Sequence, residues 1–158
     1  MITGYKIPFT GTNNVKLNRL LNIITKWGAD EIEKVNDEWQ MRWDESKPIT
    51  VDLIRSQLDS IEIEPNMHKG FCYPPCYDFH LRRIAYFVKN PSEIHSVWVN
   101  EDKRWKDKEY FKPESKPKLF INDGYHRLMA ALVLDFDEIN VKFYGSSEAE
   151  KYLLEQSD

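Results

Sequence analysis

The densest run of chemistry-bearing side chains is Asn122-Asp123-Gly124-Tyr125-His126-Arg127. Gly124 permits a positive φ or a close backbone approach. The residues after it open an apolar helix. The first amide N–H groups of a helix have no intrahelical acceptor, and together with the helix dipole they favour an anion. Arg127 adds a planar fork of donors that matches a phosphate. His126 adds a donor or proton carrier that titrates near neutral pH. Asp123 caps the helix, or holds a metal ion or a hydroxyl group. The chemistry implied is binding of a phosphate-bearing ligand. The plainer alternative is a common Asp-Gly turn followed by a solvated arginine.

A second constellation is His68, Cys72, Cys76 and His80, spaced every four residues. Two histidines and two cysteines are a suitable ligand set for tetrahedral Zn²⁺. Gly70 and Pro74-Pro75 forbid a continuous helix through them, so a zinc site here must be built on a loop. The alternatives are a loop with buried cysteines and two unrelated histidines, or His68 as a ligand contact or acid/base group beside the 122–127 turn. Lys103-Arg104-Trp105-Lys106-Asp107-Lys108 interleaves cations with an aromatic ring, a pattern that suits base stacking. Glu101, Asp102, Asp107, Glu109 and Glu114 nearly cancel that charge, which favours a solvated hairpin. Of the adjacent Arg82 and Arg83, one is expected to face solvent and the other is available as a second phosphate contact.

These residues need elements to position them. Leu17, Leu20, Leu21, Ile24 and Trp27 recur at helical spacing after Thr12, Asn13 and Asn14 as candidate caps. Asp30 with Glu33 forms a capping box for a second helix carrying Ile32, Val35, Trp39 and Trp43. Residues 1–47 are therefore expected as a helical hairpin, and 48–158 as the main domain. Ser60-Ile61-Glu62-Ile63-Glu64 alternates as a half-buried strand does, with Glu62 and Glu64 on one face. Helices are expected from Asp78 to Lys89, after Gly124, and from a Ser147–Glu150 capping box. Strands are expected at Ser96–Val99, Leu119–Ile121 and Ile139–Tyr144. Strands and helices in this order make a small α/β or α+β domain.

The chain has 158 residues and a net charge of −4. Its length supports one adequate core, and its pI of about 5.6 argues against a protein that coats nucleic acid by charge alone. There is no apolar run of roughly 18 residues, so no membrane span is expected. The first residues lack the basic and apolar regions of a signal peptide. With two cysteines, this points to a cytoplasmic protein with reduced thiols.

The run Phe120-Ile121-Asn122-Asp123-Gly124-Tyr125-His126-Arg127-Leu128-Met129-Ala130-Ala131 resembles the D-G-x-H-R-x-x-A-A box of the ParB/sulfiredoxin superfamily. The order of elements upstream and downstream is also similar, over roughly residues 49–145. The resemblance implies an α+β fold, a small mixed sheet flanked by helices, here with the N-terminal helical hairpin added. It implies a nucleotide (ATP, ADP or CTP) with Mg²⁺ as ligand. Asp123, Gly124, Tyr125, His126 and Arg127 would form the binding turn, His126 would carry a proton, and Glu62 or Glu64 would act as base. Phosphoryl transfer or nucleotide hydrolysis is the implied activity. The alternatives are a non-catalytic adaptor or inhibitor of a mobile element that binds a protein partner, and a nuclease or DNA-binding protein. Sulfiredoxins carry a reactive cysteine where this chain has Tyr125, so sulfinic acid reduction is not expected. The stretch after Gly145 is too short for the helix-turn-helix domain of partition proteins.

Overall fold

The computed structural model describes residues 9–24, 31–42, 47–63, 77–102, 105 and 116–155. In chain order its elements are β1 (Phe9–Lys16), α1 (Leu17–Ile23), β2 (Glu31–Val35), β3 (Glu38–Arg42), β4 (Ile49–Thr50), α2 (Val51–Gln57), α3 (Tyr77–Lys89), β5 (Val97–Glu101), β6 (Leu119–Asp123), α4 (Tyr125–Val133), β7 (Glu138–Tyr144) and α5 (Ser147–Leu153). The fold is α+β. Two compact units interleave along the chain. One comprises Met1–Thr25, Ser96–Gly124 and Asp137–Asp158, and the other Lys26–His95 and Tyr125–Phe136. Residues 1–47 are thus divided between the two units.

The first unit is a mixed four-stranded sheet in the order β1-β7-β5-β6. β7 runs antiparallel to β1 and parallel to β5, and β6 is antiparallel to β5. Strict alternation in β5 and β7 puts Val97, Val99, Ile139, Val141 and Phe143 on the buried face, with Leu119 and Ile121 from β6. α1 and α5 pack together and on β1, burying Leu17, Leu20, Leu21, Ala149 and Leu153. Arg19 fastens the two helices: its guanidinium lies over the Tyr152 ring at 4.7 Å and donates to the Tyr152 carbonyl at 2.6 Å. A buried carboxylate organises one end of the sheet. Glu101 accepts from the Trp105 indole at 2.5 Å and from the Ser146 amide at 2.8 Å. Gly145 is glycine for space: a Cβ there would lie 2.7 Å from Phe143 Cζ and 2.8 Å from Glu101 Cβ.

The second unit holds the antiparallel sheet β2-β3-β4 and helices α2, α3 and α4. α3 packs on α4, with Ile84, Ala85, Leu128, Met129 and Ala131 buried. α4 ends in a Schellman arrangement. The Phe136 amide donates to the Ala131 carbonyl and the Asp135 amide to Leu132, with Asp135 at φ 57. Arg55 from α2 donates to the Val133 carbonyl at 2.9 Å and 3.1 Å, which fixes the C-terminal end of the same helix.

Several expected elements are corrected. Of the expected helical hairpin only the first helix is present, as α1 with Leu17, Leu20 and Leu21. β1 occupies the segment expected to cap the first helix, because Asn13 and Asn14 pair with Val141 and Asn140 of β7. Of the second helix, expected from its cap at Asp30 to just before Lys47-Pro48, the described part, Glu31–Arg42, is the β2–β3 hairpin. Asn36 and Asp37 both adopt positive φ, 52° and 65°, the geometry of a two-residue type I′ turn. The turn pairs Ile32 with Met41, and both are buried. Thr50 caps α2, its hydroxyl accepting from the Leu53 amide at 2.9 Å. Of the strand expected at Ser60–Glu64, the described residues Ser60–Ile63 form no strand. Leu58–Ser60 is a 3-10 turn, and Ile61–Ile63 has no regular structure. The carbonyls a strand would pair are taken by side chains of α3, Ile61 by Lys89 and Glu62 by Arg82. Finally, α5 is capped by Ser146, one residue before the expected Ser147.

Candidate functional site

β6 ends at Asp123 and α4 begins at Tyr125, with Gly124 alone between them. Gly124 has φ +111, a region open to glycine and costly for other residues. A Cβ at that position would lie 3.0 Å from Val97 Cγ1 and 3.2 Å from Val97 Cα. Both the conformation and the close approach require glycine, as the sequence led us to expect. Asn122 and Asp123 are exposed at the strand end, whereas Tyr125, His126 and Arg127 are half-buried in the first helical turn.

His126 has a partner that its sequence neighbours do not reveal. His80, in the first turns of α3, is buried, and its Nδ1 lies 2.8 Å from His126 Nε2. The rings stack, with centroids 5.1 Å apart and planes 19° apart. Phe79 meets both imidazoles edge-on, and Arg83 lies over the Phe79 ring at 5.3 Å.

Burial depresses the pKa of both histidines. His80 is lowered to about 4, first by desolvation and then by the positive charge of Arg83. His126 is held well below its usual value by desolvation, then by His80, Arg83 and Arg127. At neutral pH the pair is therefore two neutral imidazoles, one donating to the other. Two guanidinium groups act on His126 from different helices, α3 and α4. Positive potential thus gathers around the start of α4, where the helix dipole already contributes.

The chain matches no family model, no curated protein and no solved structure. The chemistry of the site therefore rests on its own geometry.

Of the four residues expected as zinc ligands, His68, Cys72 and Cys76 lie outside the described residues, as does Glu64. His80 is described, and it is joined to His126. Among the described residues no group of three or more His, Cys, Asp or Glu side chains could hold a metal ion. Glu62 is exposed and lines an open cavity of about 330 Å³ with Gln57, Ser60, Ile61, Asp78, Leu81 and Arg82. Its carbonyl accepts from Arg82 Nε at 2.7 Å. Arg82 serves this irregular segment and Arg83 lies over the Phe79 ring; both are half-buried, so neither faces solvent as was expected of one of them. Trp105 is buried against Glu101, which removes it from any base-stacking role. No helix among the described residues is long and apolar enough to cross a membrane.

The His80–His126 relationship was not visible in the sequence. The two residues are 46 positions apart, and the four-residue rhythm around His80 pointed to a different partner set. The available signal was weak: a histidine on the face of α3 that also carries Ile84 and Phe87, and so needs a polar partner on whatever helix covers that face.

Proposed function

We propose that this protein binds a phosphate-bearing ligand, a nucleotide, at the first turn of α4, in the manner that the ParB/sulfiredoxin-like box implies. One arrangement carries the reading: at the start of α4 His126 is joined to His80 at 2.8 Å, Arg83 lies over the Phe79 ring that meets both imidazoles, and Arg127 follows in the same helical turn. An anion there is stabilised by the α4 amides, by the helix dipole and by two guanidinium forks. His126, neutral and oriented by His80, donates to or accepts from the bound group. Gly124 keeps the backbone before α4 free of a side chain. A nucleotide brings Mg²⁺, which phosphate and water oxygens ligate. Tyr125 supplies an aromatic surface for discriminating ligands.

Two activities follow from such a site. In phosphoryl transfer or hydrolysis, the attacking hydroxyl or water gives its proton to neutral His126 as its oxygen bonds to phosphorus and the leaving phosphate oxygen departs. Binding without turnover, as in an adaptor or inhibitor, is favoured by the low basicity of the histidine pair, since His80 titrates near 4. Phosphate release from the bound nucleotide separates the two activities.

Binding itself is tested by thermal shift with ATP, ADP, CTP and their Mg²⁺ complexes. A ligand at about 100 times its Kd adds about 2.7 kcal/mol, a rise of several degrees for a chain of this size. The expected result is stabilisation by at least one nucleotide, lost in Arg127→Ala. A flat response across the panel rejects the reading.

A further inference from the structure

The bond between His80 and His126 constrains what His126 offers to a ligand. The two residues come from different helices of one compact unit, α3 and α4, which pack together. His80 is only 5% exposed, so the protein and not solvent holds its ring. Its Nδ1 lies 2.8 Å from His126 Nε2, and the ring planes are 19° apart. Phe79 meets both rings edge-on, at centroid distances of 5.7 Å and 6.3 Å. His126 thus has Nε2 committed inside the protein. A ligand that meets this imidazole meets it at Nδ1.

Proton counting couples the two ends of the pair. A neutral imidazole carries one N–H and one lone pair. Both rings are uncharged at neutral pH, since burial disfavours the imidazolium at each. Two arrangements then satisfy the bond between the rings. In one, His126 Nε2 donates to His80 Nδ1, and His126 Nδ1 is a lone pair. In the other, His80 Nδ1 donates to His126 Nε2, and His126 Nδ1 carries the proton. The first presents a base to the ligand, and the second presents a donor. Both have the same charge, so the hydrogen bond made at His126 Nδ1 decides between them.

A fully ionised phosphate offers acceptors only. We propose that His80 is a positioning residue that donates from Nδ1 to His126 Nε2, so that His126 meets a phosphate as a neutral Nδ1–H donor and not as a base. This rests on the phosphate-ligand reading of the α4 turn and narrows it. In this arrangement the one lone pair of His126 is bonded to His80. It cannot take the proton of an attacking hydroxyl or water. Of the two activities, binding without turnover is therefore favoured. The ligand group is an oxyanion with no hydroxyl proton at the contact, as in the dianionic terminal phosphate of a nucleoside diphosphate.

Heteronuclear NMR of the histidine ring nitrogens reads the tautomers in the full chain, with and without ADP. Saturable shifts of the Tyr125, His126 and Arg127 amides report occupancy. The ADP complex is expected to have His126 protonated at Nδ1 and bare at Nε2, with His80 protonated at Nδ1. His80→Ala removes the bridging donor, so His126 moves toward the Nε2–H form and ADP affinity falls on the order of tenfold. His80→Asn, whose amide can donate from the same position, restores most of the affinity and the Nδ1–H form. A complex that binds ADP at these amides with the proton on His126 Nε2 overturns the proposal and leaves the phosphate reading standing. So does unchanged ADP affinity in a His80→Ala protein that melts like the parent. The tautomers of the unaltered chain decide the matter even where His80→Ala fails to fold. No response to ADP at any amide overturns both readings.

Discussion

Nδ1 of His80 lies 2.8 Å from Nε2 of His126, and the two rings stack. One imidazole must donate and the other accept, so the bond is intact only while the pair avoids double protonation. In the folded chain both histidines are harder to protonate than in the unfolded chain, where the value is near 6.5. The unfolded state therefore binds more protons between pH 6.5 and about 4. Stability is fully present above pH 6.5 and is lost as the pH falls through that window. Melting temperatures measured from pH 8 down to pH 4 are expected to decline most steeply below about 6.5. His80→Asn, which removes one titrating group, is expected to flatten the decline. An unchanged slope in that variant contradicts the assignment.

Gly124 at φ +111, against Val97, makes a simple prediction. Gly124→Ala forces an unfavourable φ and a 3.2 Å contact with backbone that cannot rotate away. The expected cost is about 1–3 kcal/mol, read as a lower denaturant midpoint at unchanged slope. A neutral Gly124→Ala shows that the turn adopts another conformation.

The β2–β3 hairpin is testable at its turn and at its core. Asp37, at φ 65, is an L residue in the left-handed region. Asp37→Gly is expected to raise stability by about 0.5–1 kcal/mol, since glycine relieves that strain. Met41, fully buried opposite Ile32, should cost about 2–5 kcal/mol when cut to alanine. In the helical alternative Met41 falls off the Ile32, Val35 and Trp39 face, and its loss would cost little. Chemical denaturation of the two variants separates these cases.

What the sequence disclosed follows from how far apart the interacting residues lie. α3, α4, β6 and β7 were legible because Ile84, Val88, Leu128 and Leu132 repeat at helical spacing, whereas Ile139, Val141 and Phe143 alternate. Gly124 was legible because its special backbone is set by adjacent residues. The N-terminal region misled for a physical reason. Ile32, Val35 and Trp39 suit a helix, yet Ile32 and Met41 also suit a hairpin, and the deciding signal was the Asn36-Asp37 pair at its centre. β1 carries Thr10, Gly11, Thr12, Asn13 and Asn14, with no alternation, because its pairing with β7 supplies the order that its own residues lack. Glu62 escaped its expected strand because Arg82 and Lys89 satisfied the local carbonyls. The His80–His126 pair depends on α3 meeting α4, a tertiary contact that no local pattern encodes.

The central claim is that an anionic ligand sits among Arg83, Arg127 and His126. NMR of the histidine side chains during titration with ADP, with and without Mg²⁺, tests it most directly. A bound phosphate offsets the positive field that now depresses His126, so the His126 pKa is expected to move upward on binding and its resonances to shift saturably. Arg127→Ala, which removes one source of that field, should raise the His126 pKa in the free protein and weaken the ligand response. If the His126 resonances and pKa are the same with and without every nucleotide tried, the phosphate site is not at the start of α4.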